Sequence, residues 1–225
     1  MRGVRRHTMY LADVQLVPST SDRTLAGQLM ASWRHVEDIL RAHLPRNWDV
    51  AGAGKLVIEL FSAASPEPHW TVTEGITTLH RGGFDAADYL SHSPPEQESA
   101  ALALLEEGLR SLCERAKVPV EPGLEAIAKT AACGFRLRFP LRKLTKSHAS
   151  RRWKAEILVT YSRGGTGVSL RVTHRPTGRI TEDNLLSGAF WPTVWFDYFR
   201  SRWEGDTFVV YNRVNREMLR RQCAV

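Results

Sequence analysis

Cysteine is scarce in this chain. Cys113, Cys133 and Cys223 are the only three among 225 residues. They are too few and too scattered for a disulfide framework or a zinc site. Cys113 falls on the apolar side of a helix, where cysteine behaves as a small hydrophobe. Long apolar runs are missing too: none approaches the roughly 20 residues that a membrane-spanning helix needs. Residues 1–8 read as a basic disordered arm, with Met9 as an alternative start. The stretch Met9–Pro18 is interrupted by Asp13 and Gln15, so it lacks the continuous apolar segment of a secretory signal. The expected location is therefore a reducing cytoplasm, with no membrane association. Repeats and low-complexity segments are absent.

Acid is scarce in one part only. Up to Ala132 the chain has 13 Lys and Arg against 17 Asp and Glu, a net charge of −4. Beyond it, 18 basic residues face only 7 acidic ones, a net charge of +11. So lopsided a field says little about fold, but it attracts anions: nucleic acid or an acidic protein surface. Composition is otherwise that of a globular chain with a real core, at 43% hydrophobic and 24% charged residues.

The apolar pattern organises the first part. Met9–Val17 alternates as a strand, and Pro18–Ser21 supplies a break and capping candidates. Leu25, Leu29, Trp33, Val36, Leu40 and Leu44 recur at helical spacing and predict one amphipathic helix over Asp22–Leu44. Lys55–Ala63 reads as a strand with His69–Leu79 as its hairpin partner. Asp85–Leu90 forms a short helical turn, with Phe84 and Tyr89 packing inward. Ser93-Pro-Pro-Glu96 is a strong helix start: a cap, prolines in the first turn, then an acid near the positive end of the helix dipole. Leu102, Leu105, Leu109, Leu112 and Ala116 continue that helix, and a shorter one runs from Pro122 to Ala132.

The period then changes to two. Phe135, Leu137, Phe139 and Leu141 share one strand face, with Arg136 and Arg138 on the other. Lys154–Tyr161, Val168–His174 and Arg179–Thr181 complete an antiparallel meander. Phe190–Trp203, dense in aromatics, predicts a helix because Trp195, Phe199 and Trp203 lie four apart. Thr207–Tyr211 predicts a strand and Asn215–Gln222 a final basic helix. The expected fold class is α+β. An N-terminal strand–helix–hairpin–helix portion (9–133) is expected to pack against a C-terminal antiparallel meander with a mixed aromatic-rich tail (134–225) in one continuous globule, because no flexible linker is evident.

Few constellations carry chemistry. Ala51-Gly-Ala-Gly-Lys55 superficially resembles the end of a phosphate loop. Its glycines precede a strand rather than open a helix, and no Ser or Thr follows the lysine, so it reads as a loop. The eight histidines are dispersed, and no H-E-x-x-H pairing occurs. His80 with Asp85, or Glu182 within Glu182-Asp183-Asn184, offers the raw material for an enzyme site, and turns or helix caps explain the same residues. No cofactor or metal is expected, and no catalytic residue is assigned.

The candidate binding surface is basic: Arg136, Arg138, Arg142, Lys143, Lys146, Arg151, Arg152 and Lys154, with Trp153 as the one aromatic placed to stack among cations. A solvated sheet face with positively guarded edges accounts for the same residues. No helix-turn-helix, RNA-recognition or zinc-finger signature supports nucleic-acid binding, so that signal is electrostatic only.

Three readings follow. The first is a non-catalytic intracellular binding protein whose basic C-terminal face docks on an acidic macromolecular partner. In overall feel, residues 55–116 look like toxin-neutralising immunity proteins: Phe84-Asp85 and Tyr89-Leu90 lead into the Ser-Pro-Pro-Glu helix, although no diagnostic motif assigns a family. Many such inhibitors are acidic, and the net positive charge here counts against the resemblance. The second is a nucleic-acid-binding protein, and the third an enzyme around His80/Asp85 or Glu182.

Overall fold

A computed structural model describes residues 9–63, 68–189 and 198–223. The basic arm at 1–8 and most of the aromatic run, 190–197, lie outside the described residues. The fold is α+β. The described residues form four helices and twelve strands in three sheets. The chain divides into two compact units, Met1–Phe135 and Arg136–Val225.

In the first unit the order is β1 (Asp13–Pro18), α1 (Arg23–His43), β2 (Lys55–Leu60), β3 (His69–Thr73), β4 (Ile76–Arg81), α2 (Ala86–Ser91), α3 (Pro94–Ala116) and α4 (Glu121–Ala132). Helix α1 matches its apolar stripe: Leu29, Trp33, Val36 and Leu40 are all buried. Its cap is Asp22, whose carboxylate accepts the N–H groups of Thr24 and Leu25, rather than Pro18–Ser21. At the head of α3 the Glu96 carboxylate accepts both the Ser93 N–H at 2.8 Å and the Ser93 hydroxyl at 2.6 Å. Those two bonds hold the Glu96 carboxyl below the usual range.

The sheet order is β1-β2-β4-β3. Here the structure departs from the expected hairpin between 55–63 and 69–79. Residues 69–79 are not one strand. Glu74 and Gly75, at φ +48° and +81°, make a two-residue turn that pairs β3 with β4. Positive φ at both central residues matches the twist of a hairpin, and glycine takes it without steric cost. Strand β4 then lies parallel to β2, which is itself parallel to β1. So β1–α1–β2 is a parallel crossover, a pairing that local alternation cannot reveal. Val14, Leu16, Leu56, Ile58, Leu60 and Leu79 form one core with the apolar faces of α1, α3 and α4.

The second unit is all β among its described residues, apart from a 3-10 turn at Arg142–Leu144. Its first sheet contains β5 (Leu137–Pro140), β6 (Lys146–Ser147), β7 (Trp153–Ser162), β8 (Gly165–His174) and β9 (Arg179–Ala189), all antiparallel. Ala155, Ile157, Val159 and Tyr161 of β7 alternate inward with Val168, Leu170 and Val172 of β8. The second sheet has the order β10 (Arg200–Glu204), β11 (Thr207–Tyr211), β12 (Glu217–Gln222).

The described end of the helix expected over Phe190–Trp203, and the helix expected over Asn215–Gln222, need correction. Residues 200–204 are a strand, with Trp203 opposite Phe208, and residues 217–222 are a strand paired with β11. In each segment the side chains alternate against β11, so cross-strand pairing overrides the four-residue aromatic spacing. The buried Asn212 side chain accepts the N–H groups of Val214 and Arg216 and folds the chain back between β11 and β12.

Candidate anion-docking surface

The long β7–β8–β9 ladder sorts the basic residues by strand parity and by end. On the face opposite Ile157 and Leu170, Arg138 of β5 reaches across to the Ser169 hydroxyl at 3.0 Å and to Glu182 of β9. Arg171 meets the same Glu182 carboxylate at 3.4 Å. Lys154 lies 2.7 Å from Glu156 on that face. The charges of Arg138, Arg171 and Lys154 are therefore matched within the sheet. The Glu182 carboxyl is held below the usual range: its bonds to Ser169 and Arg138 and the two guanidinium charges outweigh an opposing desolvation.

A different population sits at the end of the ladder where β7 begins and β8 finishes. Lys146 in β6, Arg151 and Arg152 in the loop before β7, and Arg175 and Arg179 around the β8–β9 turn are all exposed. Trp153 and His174 are cross-strand partners, with ring centroids 4.4 Å apart. The Arg175 N–H donates to the Arg152 carbonyl at 2.8 Å, and its guanidinium donates to the Ser147 hydroxyl. The two loops are thereby fastened to each other. His148 anchors the first loop from below: its ring contacts Ser150 and the Gly205 carbonyl, and meets Trp203 edge-on. Among the described residues, none of these five cations has a carboxylate partner, whereas each described carboxylate of the second unit has a basic one.

A second basic cluster surrounds Phe199. The Lys143 ammonium lies 3.7 Å from its ring centroid and the Arg213 guanidinium 5.5 Å. Desolvation and then the Arg213 charge press the Lys143 ammonium below the usual lysine range. Arg200 and Arg202 both lie over the Tyr211 ring, and Arg202 also pairs with Glu204. The Tyr211 hydroxyl donates to Glu204 at 2.5 Å, and with Arg202 and Arg220 it draws the Glu204 carboxyl down to about 2.

Of the nine sequence-derived residues, the structure brings Lys146, Arg151, Arg152, Trp153 and Lys154 to one end of the ladder. Arg142 and Lys143 lie on the 3-10 turn, with Lys143 beside Phe199. Arg138 lies on the sheet face, and Arg136 precedes β5 toward the opposite end of β7. Arg175 and Arg179 were missed, because a turn sequence does not reveal which loop it will meet. Arg213 was missed as well, because it precedes a segment read as a helix.

The other constellations resolve individually. In the first unit His80 lies between Glu59, 2.8 Å from Nδ1, and the Thr71 hydroxyl, 3.0 Å from Nε2, with the His69 ring stacked on it at 4.0 Å. All four side chains share the face opposite the buried Leu79, as a polar cross-strand ladder. Asp85 accepts the N–H groups of Ala87 and Asp88 at the head of α2. The N–H groups of the glycine-rich segment 52–55 are satisfied by Asp49 and by the carbonyls of Val50 and Gly75, which leaves no phosphate cradle. Among the described residues no three His, Cys, Asp or Glu side chains are arranged to hold a metal, and no helix is long and apolar enough to cross a membrane.

In comparisons with known proteins no family model matches this chain, and neither a curated protein nor a solved structure matches it.

Proposed function

We propose that this is a non-catalytic binding protein whose C-terminal unit docks on an anionic macromolecule through the end of the ladder that carries Arg151, Arg152, Arg175 and Arg179. One observation carries the reading. Each described acid of this unit meets a base, and five cations without a carboxylate partner among the described residues gather on two tethered loops and the strand beside them. Like charges held on adjacent loops raise the local potential, and a multivalent anion relieves it. Arginine suits this task because its planar fork grips phosphate and carboxylate alike.

The test is a titration of the full chain with two polyanions, poly-L-glutamate and an oligonucleotide, at low and at physiological salt. Binding that weakens steeply as salt rises supports the reading, since neutralising a polyanion releases its counterions. Absence of binding to either polyanion at low salt removes it.

A further inference from the structure

The same end of the ladder contains a cavity of about 120 Å³, lined by Trp153, Val172, Arg179, Thr181, Arg221, Gln222 and Cys223. Every one of these residues belongs to the second unit. From the cavity and the cations around it we infer that the anionic macromolecule is a single-stranded nucleic acid, one base of which enters this cavity. The inference rests on the docking function proposed above and gives it a partner class.

The cavity walls match a base in three respects. The cavity has room for one flat ring and not for a larger group. Trp153 supplies an aromatic wall, backed by the His174 ring, while Val172 and Cys223 supply apolar contact. Thr181, opposite Val172, offers a hydroxyl that can donate to and accept from a base edge. Both Val172 and Trp153 lie on the inward parity of the sheet, so the ring would enter against its inner face, beside residues 221–223, rather than rest on an outer surface.

The charges are placed for the backbone of such a strand. Arg179 lies on the cavity rim and has no carboxylate partner among the described residues. Arg152 and Arg175 continue from it along the tethered loops. Arg221 is oriented by Asp183 at 3.4 Å. Stacking on an aromatic ring inside a basic groove is the usual means of holding a single strand without a sequence code. A duplex keeps its base faces stacked on one another and cannot offer one to Trp153 without unpairing. Poly-L-glutamate, which offers carboxylates and no flat ring, engages the arginines alone and separates the two contributions.

Fluorescence anisotropy at low salt with a labelled oligo-dT single strand, the matching duplex and labelled poly-L-glutamate tests this. The single strand is expected to bind about tenfold or more tighter than either other probe. Trp153→Ala should weaken the single strand about tenfold while leaving poly-L-glutamate unchanged. Arg179→Glu, at an exposed position that the fold does not need, should weaken every probe. Circular dichroism and thermal melting establish that both variants are folded, and Trp153→Phe, which keeps a ring, should recover most of the single-strand affinity.

Poly-L-glutamate or duplex binding as tightly as the single strand, or a folded Trp153→Ala variant binding the single strand normally, overturns the nucleic-acid inference and leaves the docking function standing. Failure of all three probes overturns both.

Discussion

Glu37 of α1 accepts the main-chain N–H of Leu16 at 2.6 Å, closing the open edge of β1 with a buried carboxyl. As the outermost strand of its sheet, β1 presents N–H groups without a ladder partner. The bond is made at an electrostatic cost. Desolvation pushes the Glu37 carboxyl up to about 8, although Leu16 and the Arg34 and Arg41 charges pull it down. The neighbouring Asp38 is raised as well by desolvation, against the opposing influence of Arg41 and Arg34.

This predicts a pH dependence of stability. The unfolded chain releases the Glu37 proton near 4.5 and the folded chain near 8, so between these values the folded state binds more protons. The stabilisation from this group is complete below about pH 4.5 and is lost as pH rises towards 8. Glu37→Gln keeps an acceptor for Leu16 and cannot ionise. Urea titrations should show the variant gaining on the native protein from pH 5 to pH 8, by on the order of a few kcal/mol at the alkaline end. Parallel pH profiles for the two proteins would contradict this.

Packing at the start of α4 gives the second prediction. A Cβ at Gly123 would lie 2.5 Å from Cη2 and 3.1 Å from Cζ3 of the buried Trp48 indole. Alanine is intrinsically the better helix former by about 1 kcal/mol. A rigid ring cannot yield as a flexible side-chain end can, so overpacking should prevail. Gly123→Ala should destabilise the chain by about 1–3 kcal/mol, read as a lowered melting temperature.

The third concerns the turn into β12. Asn212 is buried, and its side-chain oxygen accepts two main-chain N–H groups. Asn212→Ala leaves both donors without that acceptor and should cost about 1–3 kcal/mol. Asn212→Asp retains an acceptor and should cost less. Amide exchange at Val214 and Arg216 reports the loss locally, and should quicken in the alanine variant before the rest of the unit opens.

Much of the architecture was legible in the sequence, and its limits have physical causes. Helix α1 declared itself through Leu29, Trp33, Val36 and Leu40, and α3 through its Ser-Pro-Pro-Glu start, because periodicity and capping are local. The parallel pairing of β2 with β4 was hidden, because strand neighbours depend on chain reversals elsewhere. The turn at Glu74-Gly75 did leave a signal: an acidic residue followed by glycine between two alternating runs. The tail misled because Trp195, Phe199 and Trp203 fit a helical period, while Arg202 and Trp203 equally fit an alternating one.

The basic surface was half legible. Arg152 and Trp153 are adjacent in sequence and remain together, but Arg138 finds Glu182 through two intervening strands. Arg175 reaches Arg152 only because β7 and β8 bring their ends together. Counting charges along a chain locates an excess. Strand register decides which cations meet a carboxylate and which do not.

The measurement that tests the account most directly compares two charge reversals of equal size. Arg179→Glu alters the docking end, and Arg136→Glu alters an exposed position towards the opposite end of β7. Each changes the net charge by the same amount. Titrated with the oligo-dT probe at fixed salt, Arg179→Glu should lose about tenfold or more in affinity, and Arg136→Glu less than about threefold. Equal losses in the two variants would mean that overall charge, rather than a located surface, governs binding, and would contradict the account.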